Sequence, residues 1–138
     1  MAMQLYQGWP FDGTITDNLP LTTDEGIVAG MAIKKDATGK AIKAVGAADE
    51  LIYFAMQDQT ESSVAFSNAL PVSCNNYILY TDQFVAASFA QDDKLEIGDT
   101  ANEGKWMKHA GGAKPIAGRY DGTEQINNKE MIRIKKFN

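Results

Sequence analysis

The residue types that carry most enzyme and metal chemistry are scarce in this chain. It has one histidine, His109, and one cysteine, Cys74, in 138 residues. A nucleophilic pair would need the two side chains to meet and the pKa of Cys74 to be lowered. Cys74 instead follows apolar Val72 and precedes turn residues, a setting typical of a buried, inert thiol. Without further histidines or cysteines to complete a zinc site, we expect no catalytic residues, no metal and no cofactor. The sequence predicts that the protein is not an enzyme.

One glycine-flanked segment superficially resembles a phosphate-binding loop. Gly98 and Gly104 bracket it, but they are one residue too far apart for the P-loop pattern. Trp106 also stands where a serine or threonine would bind magnesium. The carboxylates of Asp99 and Glu103 would repel a phosphate. We therefore expect a turn before a strand at this position.

An acid-rich run at 92–99 could be expected to bind calcium. Apolar residues fill the positions that ligands occupy in an EF-hand loop, so the spacing does not fit. The alternation of Leu95, Glu96 and Ile97 indicates a strand instead, because successive side chains of a strand point to opposite faces. We expect Leu95 and Ile97 in the core and Glu96 pointing outward.

Composition and charge exclude several classes of partner. The chain is 44% hydrophobic and 22% charged, which is typical of a globular protein of one domain. Its apolar runs fall far short of the about 20 residues that a membrane helix needs, and the N-terminus lacks a signal-peptide pattern, so no membrane partner is expected. A net charge of −5 makes the chain a poor general ligand for nucleic acid, and none is expected.

The charge is distributed unevenly along the chain. Residues 1–50 carry a net −3, residues 51–104 a net −7 and residues 105–138 a net +5. The basic last third could form a local patch on the surface. We favour the alternative that basic C-terminal strands pair with acidic middle strands, since opposite charges across paired strands are mildly stabilising.

Period-two alternation, broken by glycine and Asn/Asp turns, runs through most of the chain. Residues 31–35 and 40–45 flank an Asp-x-x-Gly turn and predict a hairpin. Residues 84–90 and 115–120 are further strand-like pieces, and 131–137 predicts a final strand. We expect an all-β fold, a small β-barrel or β-sandwich of about eight or more short strands. The predicted core residues are Ile33, Ile42, Ile52, Phe54, Leu79, Leu95, Ile97, Ile116, Ile132 and Ile134.

The first 18 residues differ in character from the rest. Tyr6, Trp9 and Phe11 lie among glycines and Pro10 without a clean period, and proline is unfavourable in helices and central strands. They could form a first edge strand of the chain's own barrel. Alternatively, they form an extended N-terminal arm that places its aromatics on a neighbouring subunit. We divide the chain into an arm at 1–18 and a single β-barrel domain at 19–138, with Tyr6, Trp9 and Phe11 as protein-interface residues.

The order of the pieces resembles a known family over roughly residues 20–138. The segments that carry the resemblance are Glu25–Gly30, the turn at 36–39, Phe84–Phe89, Asp93–Ile97, Gly104–Lys108, Lys114–Tyr120 and the charged final strand. In this order they are similar to the small β-barrel head-decoration, or capsid cement, proteins of tailed bacteriophages. One departure is that a Gly-Asp-x-Leu segment commonly enters a strand in such proteins, whereas Asp92 replaces that glycine here.

The resemblance implies a non-enzymatic virion structural protein that binds the outer surface of the phage capsid and stabilises the head. Its partner would be the major capsid protein, and it would act as a homo-oligomer, a trimer or a dimer, with an N-terminal segment reaching across capsid subunits. It would be made in the host bacterial cytoplasm and located on the capsid exterior of the virion. Two alternatives remain: a tail or baseplate β-protein, and a small β-sandwich module that binds glycan or peptide through exposed aromatics such as Tyr77, Tyr80 or Trp106.

Overall fold

The computed structural model describes residues 3–5, 14–21, 25–45, 52–62, 64, 69–75 and 77–136. Within them the chain is nearly all β. The strands are β1 (Met3–Leu5), β2 (Thr14–Pro20), β3 (Ala32–Lys35), β4 (Ala41–Lys43), β5 (Tyr53–Ala55), β6 (Ala69–Asn75), β7 (Tyr77–Thr81), β8 (Lys94–Ile97), β9 (Trp106–Lys108), β10 (Gly118–Ile126) and β11 (Lys129–Lys136). A 3₁₀ turn at Thr100–Asn102 lies between β8 and β9.

The strands form two antiparallel sheets. Sheet A has six strands in the order β1-β7-β11-β10-β8-β9, and sheet B has five in the order β2-β6-β5-β3-β4. The chain changes sheets between β6 and β7, which are consecutive but not paired. The predicted all-β class, a small sandwich or barrel-like fold of eight or more strands, is confirmed.

The centre of sheet B is buried on both faces, as β5 shows. Its three residues are all buried, with Phe54 in one apolar cluster and Tyr53 and Ala55 in another. The Phe54 cluster joins sheet B to Leu79, Leu95 and other residues of sheet A, so it forms the layer between the sheets. The second cluster covers the opposite face of sheet B. A strand buried on both faces is a continuous apolar run, as this one is.

The predicted hairpin at 31–45 is confirmed as β3 and β4. Its turn is held by Asp36, whose Oδ1 accepts hydrogen bonds from the N–H groups of Thr38 and Lys40 at 2.8 and 2.9 Å. These bonds, of which the one from Lys40 matters most, lower the pKa of Asp36. Gly39 has φ +86°, a left-handed conformation that glycine adopts without strain.

The β10–β11 hairpin is longer than the sequence indicated. The strand-like piece predicted at 115–120 stops before Asp121-Gly122, but β10 continues to Ile126. Gly122 lies in a β-bulge between Tyr120 and Thr123. The Asp121-Gly122 pair therefore marks an irregularity within the strand pairing and not its end. The reversal itself is at Asn127 and Asn128, both with positive φ as a type I′ hairpin turn requires.

Most of the predicted core is confirmed, with clear exceptions. Eight of the ten residues are buried. Ile42 is half-buried, and Ile116 is wrong, since it is 41% exposed in the irregular segment before β10. The run 84–90 is not a strand either, although Phe84 forms a single bridge with Trp106. The alanines of this run are exposed, so their apolar character did not mark core positions.

The structure differs from the predicted division at residue 18. Met3–Leu5 is β1, paired with β7, and Thr14–Pro20 is β2, paired with β6, so the boundary falls inside a strand. These pairings join residues about 50 to 80 positions apart, which a local pattern does not reveal. The intervening residues, including Tyr6, Trp9 and Phe11, lie outside the described residues.

Candidate functional site

The β8–β9 hairpin positions a buried carboxylate. Leu95 and Ile97 point into the core as predicted, which leaves Glu96 on the opposite face of β8. We expected Glu96 to point outward, and it does lie on the face away from the core, but the residue is covered there and only 3% exposed. The segment that follows β9 folds over this face and covers it. Buried glutamates are rare unless they are paired, so its partners define the site.

Three groups of the covering segment converge on Glu96. The N–H of Ala110 donates to Oε1 at 3.0 Å, and Nδ1 of His109 lies 2.9 Å from the same oxygen. Nζ of Lys114 lies 3.3 Å from Oε2 and also 2.8 Å from Asp99. The glycine-rich loop 109–114 is thereby tied at both ends to one carboxylate. We call these residues the Glu96 cluster.

The titration behaviour of the Glu96 cluster fits a structural ion network. Burial alone would raise the pKa of Glu96, but the Ala110 hydrogen bond and the charges of Lys114 and His109 outweigh it, and the pKa is lowered. Asp99, followed by Glu96, raises the pKa of Lys114 against the effect of burial. Both groups therefore stay charged at neutral pH. A general acid or base would need a pKa near the working pH. The pKa values of Glu96 and Lys114 are instead shifted away from neutral pH.

A cleft of about 310 Å³ adjoins the cluster where β8, β9 and β10 meet. Two acids in its lining are engaged locally. Asp93 accepts from the N–H of Ala90 at 2.8 Å and pairs with Lys108 at 3.4 Å. Asp92 pairs with Lys135 at 2.6 Å. The remaining lining residues are Lys94, His109, Gly111 and Arg119.

The expected pairing of the basic last third with the acidic middle is confirmed by its ion pairs. Besides the Glu96 cluster, Lys129 lies 3.5 Å from Asp82 and Lys135 bonds Asp92. These contacts join residues of β11 to the segment between β7 and β8. Many basic residues of the last third are therefore paired with acidic residues of the middle third within the fold.

The other sequence candidates do not come together as a reactive site. Cys74 lies in β6 of sheet B and its side chain is outside the described part, while His109 follows β9 of sheet A and pairs with Glu96. Among the described residues no group of three or more His, Cys, Asp or Glu side chains could hold a metal ion. Two aromatics named for a glycan groove, Tyr80 and Trp106, are buried.

The sequence missed the Glu96 cluster because its cover is non-local. A weak signal existed in the loop itself, where the only histidine and Lys114 flank Gly111-Gly112.

Within the described ranges no helix is long and apolar enough to cross a membrane. Comparison of the chain with protein-family models finds no match, and no curated protein is significantly similar to it.

Proposed function

We propose that this chain is a structural protein of a tailed-phage virion that binds the outer surface of the capsid and stabilises the head, without catalysing a reaction. The observation that carries the proposal is the convergence of the resembling segments on one buried residue, Trp106. Segments that are far apart in the sequence, and that carry the family resemblance, thus act together as a scaffold.

Trp106 joins the two sheets through both its ring and its backbone. Its indole N–H donates to the carbonyl of Gly30 at 3.0 Å, and Thr81 donates to the same oxygen. Its ring centroid lies 5.7 Å from that of Phe54. Its backbone bonds Gln83 and Val85. The segments Glu25–Gly30, Phe84–Phe89 and Gly104–Lys108 therefore meet here.

A second group of the resembling segments packs beside Trp106. The N–H of Ala117 donates to Leu95 at 2.8 Å, linking Lys114–Tyr120 to Asp93–Ile97. A Cβ on Gly118 would lie 3.0 Å from Ile134 and 3.5 Å from Trp106. A side chain here would be tight against the final strand, so glycine favours close packing at this position. These residues of the resembling segments therefore pack in one core.

A cement protein must connect capsid subunits against the outward pressure of packaged DNA, so it needs contact sites that are well separated on a rigid body. In sheet A, β1 lies at one edge and β9, beside the Glu96 cluster, lies at the other. Six strands at about 4.8 Å spacing span roughly 24 Å. The proposed partner is the major capsid protein, and the proposed assembly is a trimer or dimer on the capsid exterior, after synthesis in the host cytoplasm.

The test is binding of the purified chain to heads that lack it. Heads should co-sediment the wild-type protein, and Trp9→Ala should weaken binding by ~1–4 kcal/mol if Trp9 is a central interface residue. Gln125→Ala, on the exposed face of β10, is the control and should bind normally. Binding to purified tails but not to heads would favour the alternative of a tail or baseplate protein. Binding to neither would refute the proposal.

A further inference from the structure

Two cations face each other across a pair of strands at the mouth of the cleft. Lys94 in β8 and Arg119 in β10 are direct register partners, and both are exposed. Side chains in such positions are close neighbours on one face of the sheet, and like charges directly opposite each other are destabilising. The fold therefore retains an unfavourable pair where a neutral or acidic residue would be better for stability.

Neither cation is neutralised by an ion pair within the described ranges. Lys94 has no carboxylate within ion-pair distance there, and the polar contact of Arg119 is from Nη1 to the main-chain oxygen of Asp92 at 3.1 Å. The Asp92 carboxylate feels the charge of Arg119, but its strongest partner is Lys135. Asp93 is held by Ala90 and Lys108, as described above. The nearby acids are thus committed elsewhere.

The cleft provides room for a ligand between these cations. Its volume of about 310 Å³ suits one or two side chains, and Lys94, Lys108 and Arg119 all line it. An arginine next to a lysine can bind a carboxylate through two parallel hydrogen bonds plus a point charge. A polyanion is a poorer fit because the protein as a whole carries −5.

We propose that Lys94 and Arg119 form an anion-binding site for the carboxylate side chains of an acidic segment of a partner protein. The bound carboxylate lies between the two cations and relieves their repulsion. The Glu96 cluster holds the adjoining loop, so the site is formed before the ligand arrives, which lowers the entropy cost of binding. The site does not depend on the capsid role, because any acidic protein surface of this chemistry would fit it.

The experiment is an NMR titration of the isotope-labelled full chain. The probe is a capped hexapeptide of alternating aspartate and glycine, and the control peptide has asparagine in place of aspartate. The acidic peptide should shift the amide signals of residues 93–95, 108–111 and 118–120, and the asparagine peptide should not. Added salt should weaken the binding, since the site is exposed.

Two variants test the residues themselves. Lys94→Gln and Arg119→Gln should each lower the affinity for the acidic peptide by about threefold to tenfold. Lys129→Gln, at an exposed lysine remote from the cleft, should leave the affinity unchanged. Lys94→Gln should melt at the same temperature as wild type or higher, which separates lost binding from lost folding. Equal binding by Lys94→Gln, or a peptide response elsewhere on the protein, would overturn the proposal. Tighter binding of inorganic phosphate or a single-stranded DNA 12-mer at the same signals would also overturn it, in favour of a phosphate ligand.

Discussion

Replacing Glu96 with glutamine is the sharpest perturbation of the loop that covers β8. The side chain is 4% exposed and contacts His109, Ala110 and Lys114. Glutamine keeps the shape and a carbonyl oxygen that can still accept from Ala110. It removes the negative charge, which leaves His109 without its carboxylate and leaves Lys114 with Asp99 alone.

The expected loss of stability lies below that of a fully buried ion pair. Removing one partner of a buried pair costs about 3–5 kcal/mol because the other charge stays uncompensated. Here the partner side chains are 13% and 33% exposed, so water solvates them in part. Lys114 also retains one carboxylate. We expect a loss of ~1–2 kcal/mol at neutral pH, which lowers the melting temperature of a domain this size by roughly 3–10 °C.

The pH dependence of stability tests whether the charge of Glu96 is the cause of the loss. The folded-state pKa of Glu96 is lowered from 4.5, so its contribution to stability is complete above the unfolded-state pKa. It is lost as the pH falls through the folded-state pKa. The difference in free energy of unfolding between wild type and Glu96→Gln should therefore be greatest near pH ~7 and should narrow toward pH ~3.

Denaturant unfolding across this pH range measures the difference. Glu130→Gln, the same substitution at an exposed position of β11, is the control and should stay within about 0.5 kcal/mol of wild type. If Glu96→Gln is as stable as wild type at neutral pH, the Glu96 cluster does not hold the loop. A gap that stays constant as the pH falls would show that the charge of Glu96 is not its cause.

Four further changes test the packing. Ile134→Ala, at a fully buried position, should cost ~2–5 kcal/mol in denaturant unfolding, and a cost below about 1 kcal/mol would contradict its place in the core. Trp106→Phe leaves the buried carbonyl of Gly30 with one hydrogen-bond donor fewer and should destabilise the protein by ~1–3 kcal/mol. An unchanged melting temperature would argue that this hydrogen bond does not help to hold the two sheets together. Gly98→Ala puts a Cβ 2.5 Å from Asn102 and should lower the melting temperature, whereas a neutral result would mean that the turn relaxes. Deleting residues 1–13 removes three cross-strand pairs with β7 and should cost ~1–3 kcal/mol while the other strands stay folded; loss of cooperative melting would show that β1 is essential.

The parts of the fold that the sequence predicted are those encoded locally. The hairpin of β3 and β4 follows from alternation on either side of one Asp-x-x-Gly turn. Ile132 and Ile134 share a face of the last strand because two residues separate them, and both are buried. In each case the signal and the structure lie within about 15 residues, where side-chain period and turn chemistry decide the conformation.

The parts that it did not predict depend on distant segments. Glu96 alternates like an outward residue, and only the path of the chain after β9 determines that it is covered. Ile116 is apolar like a core residue, yet it lies in an irregular segment where period two does not apply. The Lys94–Arg119 pairing depends on the register between β8 and β10. Register across sheets of this kind follows from non-local packing, which one sequence does not specify by pattern alone.

The central proposal is that this chain binds to the head of a phage virion, and cryo-electron microscopy tests it most directly. Under this proposal a phage carries the gene, so maps of its virions would be compared with maps of virions in which the gene is deleted. We predict density for a two-sheet domain in many copies on the outer surface of the capsid, absent from the deletion virions. Identical head maps, or difference density confined to the tail, would contradict the account.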